Sequence, residues 1–425
     1  MATYFVLSQE TTLSIGASHG EGSKHNYALS SVANWNNRRN KLVEEMVGMN
    51  ADIFCLQEVT EGGLLDTFVP ALAPLGLECH GFAPQRDPDP KKNFFQQQRK
   101  QYNKSNSNKN TPAPATTNTS AENTDADTTN TLPPPELATA EEALIPRRSG
   151  AYNDPRHATI GSAIFCNKNK IEVLACKRVL LREFAPIQKC RSHVLQADIA
   201  NKLNSMVMAL MRVKSTGQLV VVSNTHLFWD PKREDIKSMQ LCGMAAALAE
   251  FCRISGLDPA KPPPMIVCGD FNTGPYRMQP EDANKVKLYT EELAAGTVPN
   301  TALFELLTSG TLSAEHPHHP DRWYAFLPSK PFCPRIGDLT IPFKLKNVFE
   351  APFDAYAPVF TTKTDDFQGW LDHIFVSDKV TVEQVLVPPI TRTEPMASYY
   401  CQTFQPMPNR VSLAIVIFVI LVYSN

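Results

Sequence analysis

The sequence contains no paired cysteines. Its ten Cys stand singly, at 55, 79, 166, 176, 190, 242, 252, 268, 333 and 401. The absence of any CxxC spacing excludes a zinc ribbon and a thioredoxin-type redox centre. Cys55, Cys166 and Cys268 lie inside apolar runs, where a free thiol acts as a small hydrophobe. Single cysteines in so long a chain point to a reducing compartment. There is also no surplus of either charge: 41 Lys and Arg stand against 43 Asp and Glu, a net −2. That excludes a protein held to nucleic acid by bulk positive charge, and it leaves room for an enzyme with a local basic groove. Long hydrophobic runs are missing as well. The best, at 411–423, is broken by Ser412 and falls short of the ~18–20 residues that span a bilayer. Dense in β-branched residues and without a flanking Lys/Arg cluster, it predicts a buried strand rather than a membrane anchor. The opening MATYFVLSQETTLS lacks a basic n-region and an apolar h-region, so no secretory leader is expected. The expected location is the cytoplasm, with the nucleus as the alternative.

What is present is ordinary globular material: 425 residues, 43% hydrophobic and 20% charged. That length fits two or three small domains, or one large α/β domain carrying an insertion. Residues 3–7 read as a strand, and 34–59 as a helix running into a strand whose buried run is 53–56. A second helix and strand follow up to about residue 84. From about 87 to 150 the text turns to Asn, Thr, Ser, Pro, Gln and Lys with almost no aliphatic periodicity, a composition that cannot bury enough apolar surface to order itself. Strand-like sequence of the same style resumes beyond it. We therefore expect one domain over 1–425, interrupted by a disordered insert. Strands are predicted at 162–166, 170–181, 206–213, 218–227, 265–271, 370–377 and 380–388, with helices over 235–255 and about 281–294. Many short strands with helices between them imply a layered α/β protein.

Four polar clusters share one placement, at the ends of buried strands. They are Gln57–Glu58, Asn224–Thr225–His226, Asp270–Phe271–Asn272 and Asp372–His373. Taken singly, a strand-end Asp is usually a turn former, an Asn a cap and a His a satisfied polar residue. Together, carboxylates in apolar settings require a partner or a metal. Their hard oxygens suit Mg2+ or Mn2+.

In order along the chain, these segments resemble the endonuclease/exonuclease/phosphatase superfamily. The branch is the one that holds the carbon-catabolite-repressor-type poly(A) deadenylases, nocturnin and the Angel proteins. TYFVLSQ (3–9) is similar to that branch's TYNILSQ, and 34–59 to its NWxxRxxxLxxEIxxxxADIxxLQEV signature. IGSAIF (160–165) is similar to DGCAIF. VSNTHLFWDPKREDIKSMQ (222–240) resembles NTHLxWDPxxxDVKxxQ, and VCGDFNTGP (267–275) resembles GDFNxxP. PVFTTKTDDFQGWLDHIFVS (358–377) resembles FTNYTxxFxGxLDYIFxS. One such motif would be weak; six in order are specific.

The resemblance implies a four-layer α/β sandwich, two mixed sheets face to face with helices outside. It implies Glu58 as ligand of Mg2+ or Mn2+. Asp270 would polarise the attacking water, Asn272 would hold the scissile phosphate, and His226 and Asp372 would complete the polar floor. Asn224, Trp229, Pro231 and Phe367 would contact substrate. The implied activity is 3′-to-5′ exonuclease action on single-stranded RNA at the mRNA 3′ end, with protein partners recruited through the insert. Three features depart from the pattern. Phe5 stands for the family's first-strand Asn, Ile160 stands for the Asp of its DG pair, and the C-terminal Ser-Asp-His is missing before Ser412. A slow enzyme is expected. The alternatives are a degenerate relative that binds RNA or protein without cleaving, and a phosphodiesterase for a small nucleotide or phosphorylated substrate.

Overall fold

In the computed structural model of the chain, the described residues are 2–5, 35–85, 160–187, 190, 193–230, 233–275, 300–321, 336–348, 362–363, 368–369, 371–382, 385–386 and 417–420. They belong to a unit formed by residues 1–86 and 138–425; the other unit, 87–137, lies outside them, as does the whole expected insert.

Two six-stranded sheets carry the fold. The strands of the first half are β1 (Ala2–Phe5), β2 (Ile53–Thr60), β3 (Leu77–Pro84), β4 (Ile160–Asn167), β5 (Ile171–Leu180), β6 (Ser205–Val213), β7 (Leu219–His226) and β8 (Met265–Asp270). Four more follow: β9 (Lys346–Asn347), β10 (Asp372–Val376), β11 (Val385–Leu386) and β12 (Ile417–Ile420). The first sheet has the order β11–β12–β1–β2–β4–β3, the second β9–β10–β8–β7–β6–β5. Both are mixed. In the first, β11, β12, β1 and β2 run parallel. In the second, β7 and β8 are the parallel pair. The strand expected near the C-terminus is present as β12, whose Val419 pairs with Thr3.

The central strands are apolar on both faces, which is why their sequences show continuous hydrophobic runs instead of alternation. Ile53 and Cys55 of β2 join Ile164, Cys166, Val207, Ala209, Val222, Ile266 and Ile374 in a core shared by both sheets. Phe54 and Leu56, one residue out of phase, pack with Phe165 against Leu42, Met46 and Met49 of helix α1 (Trp35–Met49). Those three recur at helical spacing, and the helix ends at Asn50 in the left-handed conformation, φ 48°. A further helical segment, 61–75, covers the same face through Leu64, Phe68 and Leu72. Helix α2 (His193–Ala200), α3 (Glu234–Ile254) and α4 (Ala302–Ser309) lie with the second sheet. Phe304 of α4 meets Phe375 of β10 edge-on, ring centres 5.2 Å apart. A Cβ on Gly243 of α3 would stand 2.5 Å from the Leu181 carbonyl oxygen, so α3 packs there at backbone distance. Helices, sheet, sheet, helices: the four-layer α/β sandwich is found.

Eight cysteines in the described residues are buried free thiols. Burial pushes Cys166 and Cys176 up to about 12, far from the thiolate range where cysteine reacts. No helix among the described residues is long and apolar enough to cross a membrane.

Polar side chains also join the two sheets directly. Asn224 of β7 is fully buried, and its Nδ2 donates to the carbonyls of Leu56 (2.9 Å) and Ala163 (3.0 Å) in the opposite sheet. Its Oδ1 accepts from Gln57 Nε2 at 2.6 Å. Leu56 and Ala163 are a paired couple on β2 and β4 at the place where their register slips, so the bulge and the cross-sheet bonds coincide. A second tie runs from Ser205 Oγ to the Ala83 carbonyl, 2.7 Å.

Replacing Asn224 by Leu, similar in size but without polar atoms, strips both carbonyls of this donor inside the sandwich. At ~1–3 kcal/mol for each buried group left unpaired, Asn224→Leu should melt several degrees below the parent, where ~1 kcal/mol corresponds to about 2–4 °C. Equal melting temperatures by circular dichroism would show that the clamp contributes nothing.

Candidate active site

The end of β8 is the centre of the site. Asp270, its last residue, is flanked in register by His226, the last residue of parallel β7, and by Asp372, the first residue of antiparallel β10. Pairing alone thus places three of the expected residues in one row across three strands. The sequence allows this because of Gly269. Its φ is +146°, and a Cβ there would lie 1.9 Å from the Thr225 carbonyl oxygen. Only glycine lets β8 approach β7 at that point.

Glu58 comes from the other sheet. It sits in the β2 bulge with φ 53°, a left-handed conformation that is uncommon for a side chain of this size. The bulge breaks the strand's alternation and re-aims the side chain. Glu58 is half-buried, and its charge reaches His226, where it raises the imidazole's proton affinity against the stronger lowering effect of burial. Two of the three departures from the resembled pattern flank this bulge. Phe5 pairs with Gln57, and Ile160 pairs with Thr60.

The electrostatics of the row follow from burial. His226 Nε2 lies 3.5 Å from Asp270 Oδ2, with the two side chains 12% and 8% exposed. Burial pushes the Asp270 carboxyl up to about 7, opposed by the Asn272 N–H and the charge of Lys237. Both shifts favour uncharged forms, so the contact is a polar one and not a strong ion pair.

Asn272 is held from several sides. Its φ is 51°, its N–H donates to Asp270 Oδ1 (2.8 Å), and its Nδ2 donates to the Leu227 carbonyl (3.0 Å). Its own carbonyl accepts from Lys237 Nζ at 2.6 Å. His373 is a strut of the same turn. One ring nitrogen contacts the Thr273 carbonyl at 2.8 Å and the other Asn347 Nδ2 at 3.2 Å. With Nδ1 accepting from Asn347, the ring is the neutral Nε2–H tautomer.

The remaining expectations divide. Trp229 is 62% exposed on the loop after β7, beside Phe228 with ring centres 5.9 Å apart. Lys202 Nζ lies 3.7 Å over the Phe228 ring. Pro231 and Phe367 lie outside the described residues. Asn224 requires a correction. Expected at the substrate, its carboxamide is enclosed between the sheets, so it supports the wall behind the site. Lys237 is what sequence reasoning missed. It is fully buried, and the available signals were its match to the Lys of DVKxxQ and its place in line with Leu241, Met244 and Leu248 on an apolar helix stripe.

Whether a divalent ion suits the site depends on its donors. Among the described residues, no three His, Cys, Asp or Glu side chains gather closely enough to enclose an ion. What the strand ends offer is carboxylate oxygen, on Glu58, Asp270 and Asp372, one of them a buried acid with its proton affinity raised. One or two of these carboxylates, Glu58 first, would suit Mg2+, which keeps much of its water shell. The set does not fit a closed structural zinc site.

The chain is similar to several known proteins. The model of the endonuclease/exonuclease/phosphatase family matches residues 212–393. The 2′,5′-phosphodiesterase 12 of Rattus norvegicus is 25% identical over 351 residues, covering 82% of this chain and 40% of that protein. The CCR4-Not complex 3′-5′-exoribonuclease subunit Ccr4 of Schizosaccharomyces pombe is 22% identical over 377 residues, covering 83% and 40%. The chain thus spans about two fifths of the length of these curated relatives. The crystal structure of ANGEL2, described as a 2′,3′-cyclic phosphatase, superposes with a TM-score of 0.51 at 19% identity, covering 89% of this chain and 82% of that one; it has the same fold. With a sequence match that runs from the end of β6 past β10, on a fold that ANGEL2 shares, this chain is similar to the endonuclease/exonuclease/phosphatase family.

Proposed function

We propose that the chain is a divalent-metal-dependent phosphodiesterase that removes nucleotides from the 3′ end of single-stranded RNA, in the manner of a poly(A) deadenylase. The observation that carries this reading is the row His226–Asp270–Asp372, set by strand register at the mouth of the sandwich. Names of relatives from this family add support: a 3′-5′-exoribonuclease subunit and a 2′,5′-phosphodiesterase both break phosphodiester bonds.

Each residue has a task that its surroundings fit. Glu58 would hold the ion, Mg2+ or Mn2+, whose chemistry when bound is to neutralise charge at the phosphate. Asp270, with proton affinity raised toward neutrality, is matched to taking a proton from the attacking water near pH 7. One amide hydrogen of Asn272 goes to Leu227, and the other is available to a phosphate oxygen. His226, kept neutral by burial, donates or accepts at the same phosphate, and Asp372 closes the row. Exposed Trp229 offers a face on which an unpaired base stacks, a contact worth ~1–3 kcal/mol.

The non-cleaving alternative rests on Phe5 and Ile160, which flank Glu58 where the family carries polar residues. The missing Ser-Asp-His removes a further phosphate contact, so turnover is expected to be slow. Loss of one such stabilising group costs ~10²–10³ in rate.

The chain should release AMP from labelled oligo(A) with Mg2+, and EDTA should stop it. Asp270→Ala should lower the rate by ~10³ or more, and Glu58→Ala should abolish Mg2+ binding by calorimetry without unfolding the protein. Oligo(A) bound but never cleaved would favour the binding module. Faster cleavage of 2′,5′-linked oligo(A) would favour the other linkage.

A second prediction concerns stability in EDTA. The Asp270 carboxyl is raised from an ordinary 3.8 to about 7 in the folded state, so the folded protein holds that proton more tightly than the unfolded chain does. The associated stability is complete below about pH 3.8 and is lost as pH rises to about 7. Asp270→Asn, neutral at every pH, should therefore melt above the parent at pH 8, and that advantage should shrink toward pH 4. A difference independent of pH would contradict the assignment.

A further inference from the structure

We infer that Lys237 is a positioning residue of this site, gripping the 272–273 turn from behind so that Asn272 and Asp270 hold their working orientation. The inference rests on the phosphodiesterase reading above. A fully buried ammonium is unfavourable unless its hydrogen bonds are met, and an apolar side chain of similar volume often serves stability as well or better. Lys237 nevertheless occupies the apolar stripe of α3, at zero exposure. Its Nζ donates to the Asn272 carbonyl at 2.6 Å and lies 2.9 Å from Glu234 Oε1. That same oxygen accepts from Thr273 Oγ1 at 2.7 Å. The first turn of α3 thus holds two consecutive residues, one by its backbone and one by its hydroxyl.

The grip falls where it has an effect on the site. Asn272 is left-handed, a conformation that Asn adopts more readily than most residues and that the bonds around the turn hold in place. The same residue's N–H fixes one oxygen of Asp270. From the other side the turn is held by His373 through the Thr273 carbonyl, so Lys237 and His373 clamp it between α3 and β10. The groups facing Asp270 are His226 from β7, Asp372 from β10 and Lys237 from α3, with Glu58 reaching His226 from β2. Among them Lys237 brings a fixed positive charge, and its influence on Asp270 favours the carboxylate.

The test is kcat and KM for AMP release from oligo(A) with Mg2+ across pH, for the parent, Lys237→Met, Glu234→Gln and Asp270→Ala. Lys237→Met should lower kcat about a hundredfold, the scale of a misplaced catalytic group, with KM little changed. Its acid limb should move up by about one pH unit, as loss of a nearby cation requires. Glu234→Gln weakens the hold on Lys237 and on Thr273 Oγ1, so it should lower kcat in the same direction with KM little changed. Lys237→Met with the parent's kcat and acid limb, or with a lowered melting temperature as its sole change, overturns the inference. If Lys237→Met does not fold, Glu234→Gln decides alone, and an unchanged kcat rejects the inference. A parent with no EDTA-sensitive release overturns the phosphodiesterase reading and this inference with it, whereas an active parent isolates the role of Lys237.

Discussion

The bond between Asn224 and the opposite sheet is the constraint on which the site depends. Two apolar sheets packed face to face have no intrinsic register, because hydrophobic contact is non-directional. A buried carboxamide is different, since it must meet particular partners at particular distances. Asn224 takes Leu56, Ala163 and Gln57 as partners, at the place where β2 bulges. The sheets are thereby locked one residue from Glu58 and two from His226. A carboxylate from one sheet and the polar row of the other are brought to the same mouth by groups that do no chemistry themselves.

A second constraint is the charge that the fold tolerates there. Asp270 stands in an environment that favours its protonated form, and the turn beyond it is left-handed at Asn272. Neither would persist without support. Gly269 removes the side chain that would push β8 from β7, His373 braces the turn from β10, and the first turn of α3 braces it from behind. The strain collects where the family expects chemistry, and the rigid parts of the fold hold it in place.

Much of this was legible in the sequence, for physical reasons. Strands buried on both faces write themselves as unbroken apolar runs, and β2, β4, β6, β7 and β8 were found within a residue or two. The polar residues that end those runs were legible for the same reason, being conspicuous against them. Helices α2 and α4 were not anticipated, because HVLQADIA and ALFELLTS are too short to show a periodicity apart from their neighbours. Asn224 was read as a substrate contact since alternation says which face a residue takes but not what lies opposite. Lys237 was passed over because a lysine in a helix is ordinarily solvated, and its burial depends on a turn thirty-five residues further on. The expected helix at about 281–294 lies outside the described residues.

The pairing of β1 with β12 has a consequence for how the chain is made. Every strand of the second sheet is contained in residues 171–376, so that sheet has all its partners within about half of this sequence. The first sheet does not: β1 pairs with residues 419 and 420, more than four hundred residues further along the chain. Until those emerge, one edge of β1 is an unpaired row of amides and carbonyls, the kind of edge that recruits foreign strands. The nascent protein therefore carries an open seam from the time β1 emerges until β12 follows, and it is β12 that closes it.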